Sequence, residues 1–497
     1  MNLAHLLDGH PDDHIAVVDR GRSISYGELR RRIGELRGGL SRLGIGRGDR
    51  VALLCANGQP FIETYFAVLG LGGVVVPMNP HSPAPELERE IATVQAVAAV
   101  VDERAATVWQ SLDTGSLPML RHAIVTRLAG GAADQISFDG LFGGDAVDIV
   151  DVDPDTLAVL IFTSGTAGSP RPAMLSHGNL QANIDQGRSA EARINSDDVV
   201  YAVLPMFHIF GLNVVLALTL AAGATLVVEQ RFDASALIEA ISDHRITVVP
   251  GAPPLWVALS NFEGATADSF ASVRLALTGA AKMPEDAIRR LHDRFGIDLA
   301  EGYGLTEASP IVTSSAGLPL KVGSVGKVLD GITVRLVDDD DEDVLMGDAG
   351  EIWVKGPNVF QGYLDDPAQT ARVLTDDGWL RTGDVAVTDE DGYLYLVDRA
   401  KDLIIVSGFN VYPAEVEEVI AAHPAVTEVG VAGVPDALTG ESVKAWVVVR
   451  QGMSVDAEAI AEWCGHRLAR YKCPAQVVFV DLLPRNAGGK LLRRALT

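Results

Sequence analysis

IFTSGTAGSPRPAMLSHGNL, residues 161–180, begins as a β-strand and breaks into a loop. The apolar run from Leu157 to Phe162 is followed by a crowd of hydroxyls and glycines: Thr163, Ser164, Gly165, Thr166, Gly168 and Ser169. Such a composition lets successive backbone N–H groups curl around a phosphate. It is not the Walker loop, whose G-x-x-x-x-G-K-[ST] pattern occurs nowhere in the chain. Gly489-Lys490 comes closest, but Pro484 stands in place of the first glycine and Leu491 follows the lysine. No G-x-S-x-G elbow exists, which removes the commonest hydrolase mechanism. On composition alone, a flexible surface loop explains the stretch as well as a phosphate cradle does.

Outward from this loop, residues 155–305 alternate β-rich and helical runs, the pattern of stacked βαβ units. TLAVLIF, VVYAVL, ATLVVEQ, ITVVP and VRLALTG are the expected strands. PEDAIRRLHDRF (284–295) is an expected helix opened by Pro284, with Glu285 and Asp286 where the helix dipole favours acids. Residues 23–105 repeat the alternation. After residue 320 strands and turns take over (ITVRLVDDDDEDV, GEIWVKG, DGYLYLVDR). The acidic run Asp338–Asp343 lacks the spaced ligands of a calcium loop and predicts a solvated hairpin turn. From about residue 400 a smaller unit follows: helix PAEVEEVIAA, the pair VTEVGVAGV and SVKAWVVV, helix VDAEAIAEWCGHRLA and strand QVVFV. The expected fold class is α/β, with a large N-terminal domain of stacked βαβ layers plus a β-rich subdomain, and a small α+β C-terminal domain.

The 497 residues, 48% hydrophobic and 21% charged, suit a globular chain of more than one domain. MNLAHLLDGHPDD has no basic n-region or apolar h-region, so no signal peptide is expected and a cytoplasmic protein is. VVLALTLAAGATLVV, from Val214, is short for a membrane span and contains Gly223; it reads as a buried helix running into a strand. Cys55, Cys464 and Cys473 show no CxxC spacing, so neither a disulfide framework nor a zinc site is expected. A net charge of −26 argues against a nucleic-acid partner. A polyanion such as ATP would have to be attracted locally, which makes each basic residue beside a glycine loop informative.

Three further stretches follow in order. EGYGLTE (301–307) groups an aromatic, a hydroxyl and a carboxylate; WLRTGD (379–384) ends in a lone Asp; LPRNAGGKLLRR (483–494) sets a lysine on a glycine-rich turn. Singly, Tyr303 could be a core aromatic, Asp384 a turn residue and Lys490 a solvated lysine. Together with the hydroxyl–glycine loop, the ordered set resembles the AMP-forming acyl-CoA synthetases (fatty acid–CoA ligases). These belong to the adenylate-forming enzymes, with luciferases and peptide-synthetase adenylation domains. The resemblance covers nearly the whole chain, from SYGELRRRIGELRGGLSRLGIGRGDRVALL to the lysine motif.

The resemblance implies ATP-dependent activation of a carboxylic acid to acyl-AMP, then displacement of AMP by the thiol of coenzyme A. ATP, Mg²⁺ and coenzyme A (as a substrate) are the implied small molecules. Negative charge gathers at the α-phosphate in the first step, so the site must cradle pyrophosphate, hold Mg²⁺ and aim a cation at the phosphoryl oxygens. Carried onto this chain, Thr163, Ser164, Gly165, Thr166, Gly168 and Arg171 would embrace the β- and γ-phosphates. Thr306 would bond the α-phosphate and Glu307 hold Mg²⁺. Tyr303 would stack on adenine, Asp384 would accept both ribose hydroxyls with help from Arg399, and Lys490 would be the mobile catalytic cation. Lys401 matches the family's hinge, and Gly408 its thiol-tunnel loop. The implied domains are 1–398, a hinge at 399–402 and a mobile 403–497. The family loop reads T-S-G-T-T-G-x-P-K-G, and Ala167, Arg171 and Pro172 depart from it. Arginine keeps the charge, Ala167 removes a hydroxyl, and Pro172 removes an N–H and stiffens the exit. A working but retuned loop is expected.

The implied acyl-pocket walls are VPGAPPLW (249–256), TGAAKMP (278–284) and EGYG, with Gly279, Ala280, Glu301 and Gly302 between acid and nucleotide. His208, in LPMFHIFGLN, matches an aromatic beside the acyl-carboxylate tunnel; a satisfied core histidine is the alternative. The cation that malonate-type relatives place here is absent, and Glu301 stands nearby. An uncharged tail follows, a medium- or long-chain fatty acid, with an aryl acid left open. The rival functions are an acyl-AMP ligase loading a separate acyl carrier protein and a non-catalytic nucleotide-binding module. No transmembrane segment is expected; peripheral membrane contact and a homodimer are left open.

Overall fold

The computed structural model describes residues 1–127, 135–164, 170–281, 283–338, 340–399, 404–411, 413–484 and 496. Its strands form four sheets. One has seven strands in the order 135–137, 122–125, 98–101, 50–54, 74–77, 157–164 and 170–176, all parallel except the last. Runs such as Val74–Pro77 and Ala98–Val101 are wholly buried, as parallel strands covered on both faces must be. A second sheet has nine strands, 327–328, 311–314, 299–304, 275–278, 248–251, 199–202, 225–228, 15–19 and 22–25. It is parallel through its centre and antiparallel at both ends.

All the expected strands of 155–305 form, but they divide between the two sheets. Leu157–Ser164 joins the strands of the N-terminal hundred residues, whereas the strands from Val199 onward build the other sheet with the N-terminal hairpin at its far edge. Helix Gln59–Gly70 packs on the strands 50–54 and 74–77 and on helix Tyr26–Arg42. Every residue from Phe61 to Gly70 is buried, and the Glu63 carboxylate among them is met by Arg32 Nε at 2.5 Å. The Val214 stretch lies in a π-helix, Phe210–Ala217, that continues through Leu218–Ala221 into strand Thr225–Val228. Among the described residues no helix is long and apolar enough to cross a membrane. Helix Glu285–Phe295 starts one residue after Pro284, with both acids in its first turn.

Strands 333–337, 350–355, 380–388 and 394–399 form an antiparallel sheet whose first connection carries the acidic run. The chain leaves this sheet at Arg399 and enters the last one at Ile404. That sheet gathers 404–406, 409–411, 426–436, 440–449 and 476–479, and helices Pro413–Ala421 and Ala457–Gly465 cover it. Val411, Val416, Ile420, Val431, Val447 and Leu468 give this smaller C-terminal domain its own core.

A buried charge cluster joins the two domains. Glu86, on helix Ala84–Thr93 of the large domain, accepts from Lys472 Nζ at 2.7 Å and from Ala469 N at 2.9 Å. Lys472 also donates to Glu415 Oε1 at 3.0 Å, with Arg89 3.9 Å from the same oxygen. Burial disfavours the Lys472 ammonium, yet Tyr471, Glu86, Glu415 and Glu90 together hold its pKa well above the usual value. Glu90, facing Glu86, Lys472, Glu415 and Arg89, is pushed by burial and then by the Glu86 charge from an ordinary 4.5 up to about 8. The docked protein therefore takes up a proton at Glu90. The stability this contributes is complete below pH 4.5 and is lost as the pH rises through about 8. Glu90→Gln should melt like the parent at pH 4 and about 1 °C higher at pH 8.5 for each kcal/mol of relieved penalty, because roughly 2 cal/mol/K per residue over 497 residues gives an unfolding entropy of about 1 kcal/mol/K. Parallel melting curves across that range would show that Glu90 stays ionised.

Candidate active site

Strand Leu157–Ser164 turns back as Pro170–Ser176, which sets Thr163 opposite Arg171; Thr163 Oγ1 donates to Arg171 O at 3.3 Å. Arg171 Nε donates to Asp366 Oδ2 at 2.7 Å, while its Nη1 is buried with no hydrogen-bond partner among the described residues. An orphaned buried donor on a guanidinium is what an anionic oxygen would satisfy. The Gln369 N–H and the Arg171 guanidinium hold the Asp366 carboxyl below its usual range. Arg171 is thus half of an ion pair as well as a loop cation, a partnership that the loop sequence does not reveal. Pro172, though it lacks an N–H, still accepts from Leu364 N at 2.9 Å.

EGYGLTE divides into strand Leu299–Gly304 and a 3₁₀ turn, Thr306–Ala308. At Gly304 a Cβ would lie 2.2 Å from Pro310 O, so the crossing to the turn requires glycine. Tyr303 is buried, and its hydroxyl donates to Asp384 Oδ2 at 2.8 Å, linking the expected adenine and ribose residues. Asp384 lies within strand Leu380–Thr388, not at its end, directly across the ladder from Arg399. Glu307 Oε1 accepts from the Tyr363 hydroxyl at 2.7 Å, and Phe360 N bonds Glu307 O at 2.9 Å.

Beyond these, the C-terminal ends of three adjacent strands present Gly251, Gly279 and Gly302. A Cβ at Gly279 would touch Gly302 O at 3.4 Å and the Phe210 ring at 3.5 Å, so backbone and aromatic ring close in on this position. Trp256, fully buried, packs under Gly251 with its Nε1 on Leu277 O at 3.0 Å. Ala280 holds a left-handed φ of +70°, strain of the kind found at ligand clamps. Glu301 is buried, its N–H on Ser315 Oγ.

His208 precedes the π-helix. Its Nδ1 accepts from Phe210 N at 3.3 Å, which leaves the ring proton on Nε2, and desolvation pushes its pKa down to about 4. Phe409 of the small domain lies edge-on to His208 at 6.0 Å and stacks on Tyr471 at 4.6 Å. Gly408, with φ +86°, brings its backbone against the pocket: a Cβ there would sit 3.3 Å from Ala280 Cβ and 3.6 Å from Ala252 Cβ.

Gly165, Thr166, Gly168, Lys401 and Lys490 lie outside the described residues, as do the side chains of Ser164 and Arg399. Sequence reasoning missed Tyr363 and Asp366. An Asp before the Pro that opens helix Pro367–Val373 is a cap signal that would have marked Asp366 as structural. Tyr363, 56 positions from Glu307, carries no local signal. Among the described residues no three His, Cys, Asp or Glu side chains gather as a metal cage.

Residues 3–364 match the AMP-binding enzyme family and residues 415–490 the AMP-binding enzyme C-terminal domain. The chain is 38% identical to a feruloyl-CoA synthase of Amycolatopsis sp., over 96% of this chain and 94% of that one. It is 36% identical to a long-chain-fatty-acid–CoA ligase of Yersinia pestis, over 97% and 91%. The solved amide bond synthetase McbA of Marinactinospora thermotolerans superposes with a TM-score of 0.87 at 30% identity, covering 99% and 98% of the two chains. With two family matches and relatives along nearly its whole length, this chain belongs to the AMP-binding enzymes, as an ATP-dependent, AMP-forming acid–coenzyme A ligase of the adenylate-forming superfamily.

Proposed function

We propose that the acid is an aryl-bearing carboxylic acid with an uncharged tail, of the hydroxycinnamic or benzoic type. The observation that carries this is the row of glycines at the strand ends, Gly251, Gly279 and Gly302, with the Phe210 ring 3.5 Å from where a Cβ of Gly279 would lie. Bare glycine backbone beside an aromatic ring suits stacking of a planar aryl group. His208, kept neutral, offers one Nε2–H to the reacting carboxylate without adding a charge. The name of the feruloyl-CoA synthase relative supports the same class.

In the activation step, Arg171 Nη1 supplies a donor to a phosphate oxygen, Thr306 bonds the α-phosphate, and the Tyr303–Asp384 pair fixes the nucleoside. A single carboxylate suits Mg²⁺ carried in on ATP, which takes most of its ligands from phosphates and water, and Glu307 would hold it. When bound, that ion spreads the charge of the departing pyrophosphate. Transfer to CoA uses the Gly408 backbone and the Phe409–Tyr471 stack beside the pocket.

The relative named for long-chain fatty acids favours a second substrate class, medium- or long-chain fatty acids. AMP release should be measured with hydroxycinnamic acids, benzoic acids and C8–C16 fatty acids, with and without CoA. The aryl acids are expected to give a kcat/KM at least about tenfold higher, since a mismatched pocket loses 1–3 kcal/mol. A fatty acid at the head of the series would overturn the aryl assignment; CoA-independent turnover would overturn the acceptor.

A further inference from the structure

We infer that Tyr363 is a positioning residue for the Glu307 carboxylate, mounted on a strap, residues 360–366, that ties Glu307 and Arg171 to one piece of backbone. The inference rests on the proposed role of Glu307 as the Mg²⁺ ligand.

At one end of the strap, Phe360 N bonds Glu307 O at 2.9 Å and the Tyr363 hydroxyl donates to Glu307 Oε1 at 2.7 Å. Along its middle it zips onto the strand after the phosphate loop. Gln361 N bonds Met174 O at 3.0 Å, Met174 N bonds Gly362 O at 2.9 Å, and Leu364 N bonds Pro172 O at 2.9 Å. At its far end Asp366 takes Arg171 Nε at 2.7 Å and caps helix Pro367–Val373 through Gln369 N at 3.0 Å.

The phenol has little freedom. Tyr363 N donates to Thr370 Oγ1 at 2.9 Å, the ring stands edge-on to Phe360 at 5.0 Å, and the residue is 8% exposed. A donor held at three points fixes the plane of the carboxylate it bonds. A ligating carboxylate whose orientation is preset loses less on taking up the metal, and such outer partners typically matter 10–100-fold in metal affinity. Because the same strap holds Arg171, the metal ligand and the phosphate cation keep a constant separation.

The test compares Tyr363→Phe, which keeps the ring and removes only the hydroxyl, with Glu307→Gln and the double variant. Two readouts are used: the Mg²⁺ concentration for half-maximal ATP–pyrophosphate exchange, and Mn²⁺ binding in the presence of ATP, followed by electron paramagnetic resonance. Tyr363→Phe should raise both midpoints about 10–100-fold with little change in the exchange rate at saturating metal. In the Glu307→Gln background it should add nothing, because the group it orients is gone. If Glu307→Gln shifts both midpoints and Tyr363→Phe shifts neither, the positioning role is wrong and the ligand role stands. If Glu307→Gln shifts neither, the ligand role fails, and the inference with it. A loss of rate at saturating Mg²⁺ with unmoved midpoints would mark Tyr363 as structural and overturn the inference.

Discussion

Lys490→Ala is expected to lose about 10²–10⁴-fold in acyl-adenylate formation while still converting supplied acyl-adenylate to the thioester. The barrier to the first step is charge crowding at the α-phosphate, in a protein whose net charge of −26 repels ATP. Arg171 is already engaged by Asp366, so its charge is compensated, and it offers a phosphate the Nη1 donors that have no partner among the described residues. The missing charge must come from elsewhere, and Lys490 in the glycine-rich C-terminal motif is the proposed source. The second step needs no such cation. The structure holds Gly408 and Phe409 of the small domain against Ala280, Ala252 and His208, the face proposed for thiol entry. Separate assays of pyrophosphate exchange and of thioester formation from synthetic adenylate check the split. Equal loss in both would show that the lysine is structural.

Lys472→Met should produce the opposite imbalance. The variant leaves Glu86 and Glu415 buried without their shared ammonium, and removing one partner of a buried ion cluster costs about 3–5 kcal/mol. If the small domain alternates between two placements, as the family resemblance implies, the Glu86 share of that cost falls only on the placement seen here, since Lys472 and Glu415 both belong to the small domain. Thioester formation should drop by ~10²–10³-fold while pyrophosphate exchange persists. The chain changes sheets between Arg399 and Ile404, around Lys401, where a rotation would concentrate its dihedral change. Adding Glu86→Gln to Lys472→Met removes one stranded charge and should recover part of the thioester rate. Loss of both half-reactions together, or no recovery in the double variant, would mean that the cluster supports the fold and does not select a placement.

The sequence by itself determined the element types and the family, and it supplied the residues proposed for the nucleotide site. Continuous apolar runs, a proline and two acids opening Glu285–Phe295, and four ordered motifs are all local signals, because strands, caps and phosphate loops are made by contiguous residues. Tyr303, Glu307 and Asp384 could be proposed from sequence because their motifs are contiguous. Only the tertiary structure decided which sheet each strand joins. Leu157–Ser164 and Val199–Ala202 are both apolar, and sheet membership depends on non-adjacent partners: Val159 pairs with Val75 in one sheet and Val199 with Thr225 in the other. The same holds for the polar contacts that orient the site: Tyr363 to Glu307, Asp366 to Arg171, and Lys472 to Glu86 across 386 positions. A charged or phenolic side chain looks solvated in sequence whether or not the fold buries it. Its partner is chosen by desolvation, which rewards pairing only after packing has excluded water.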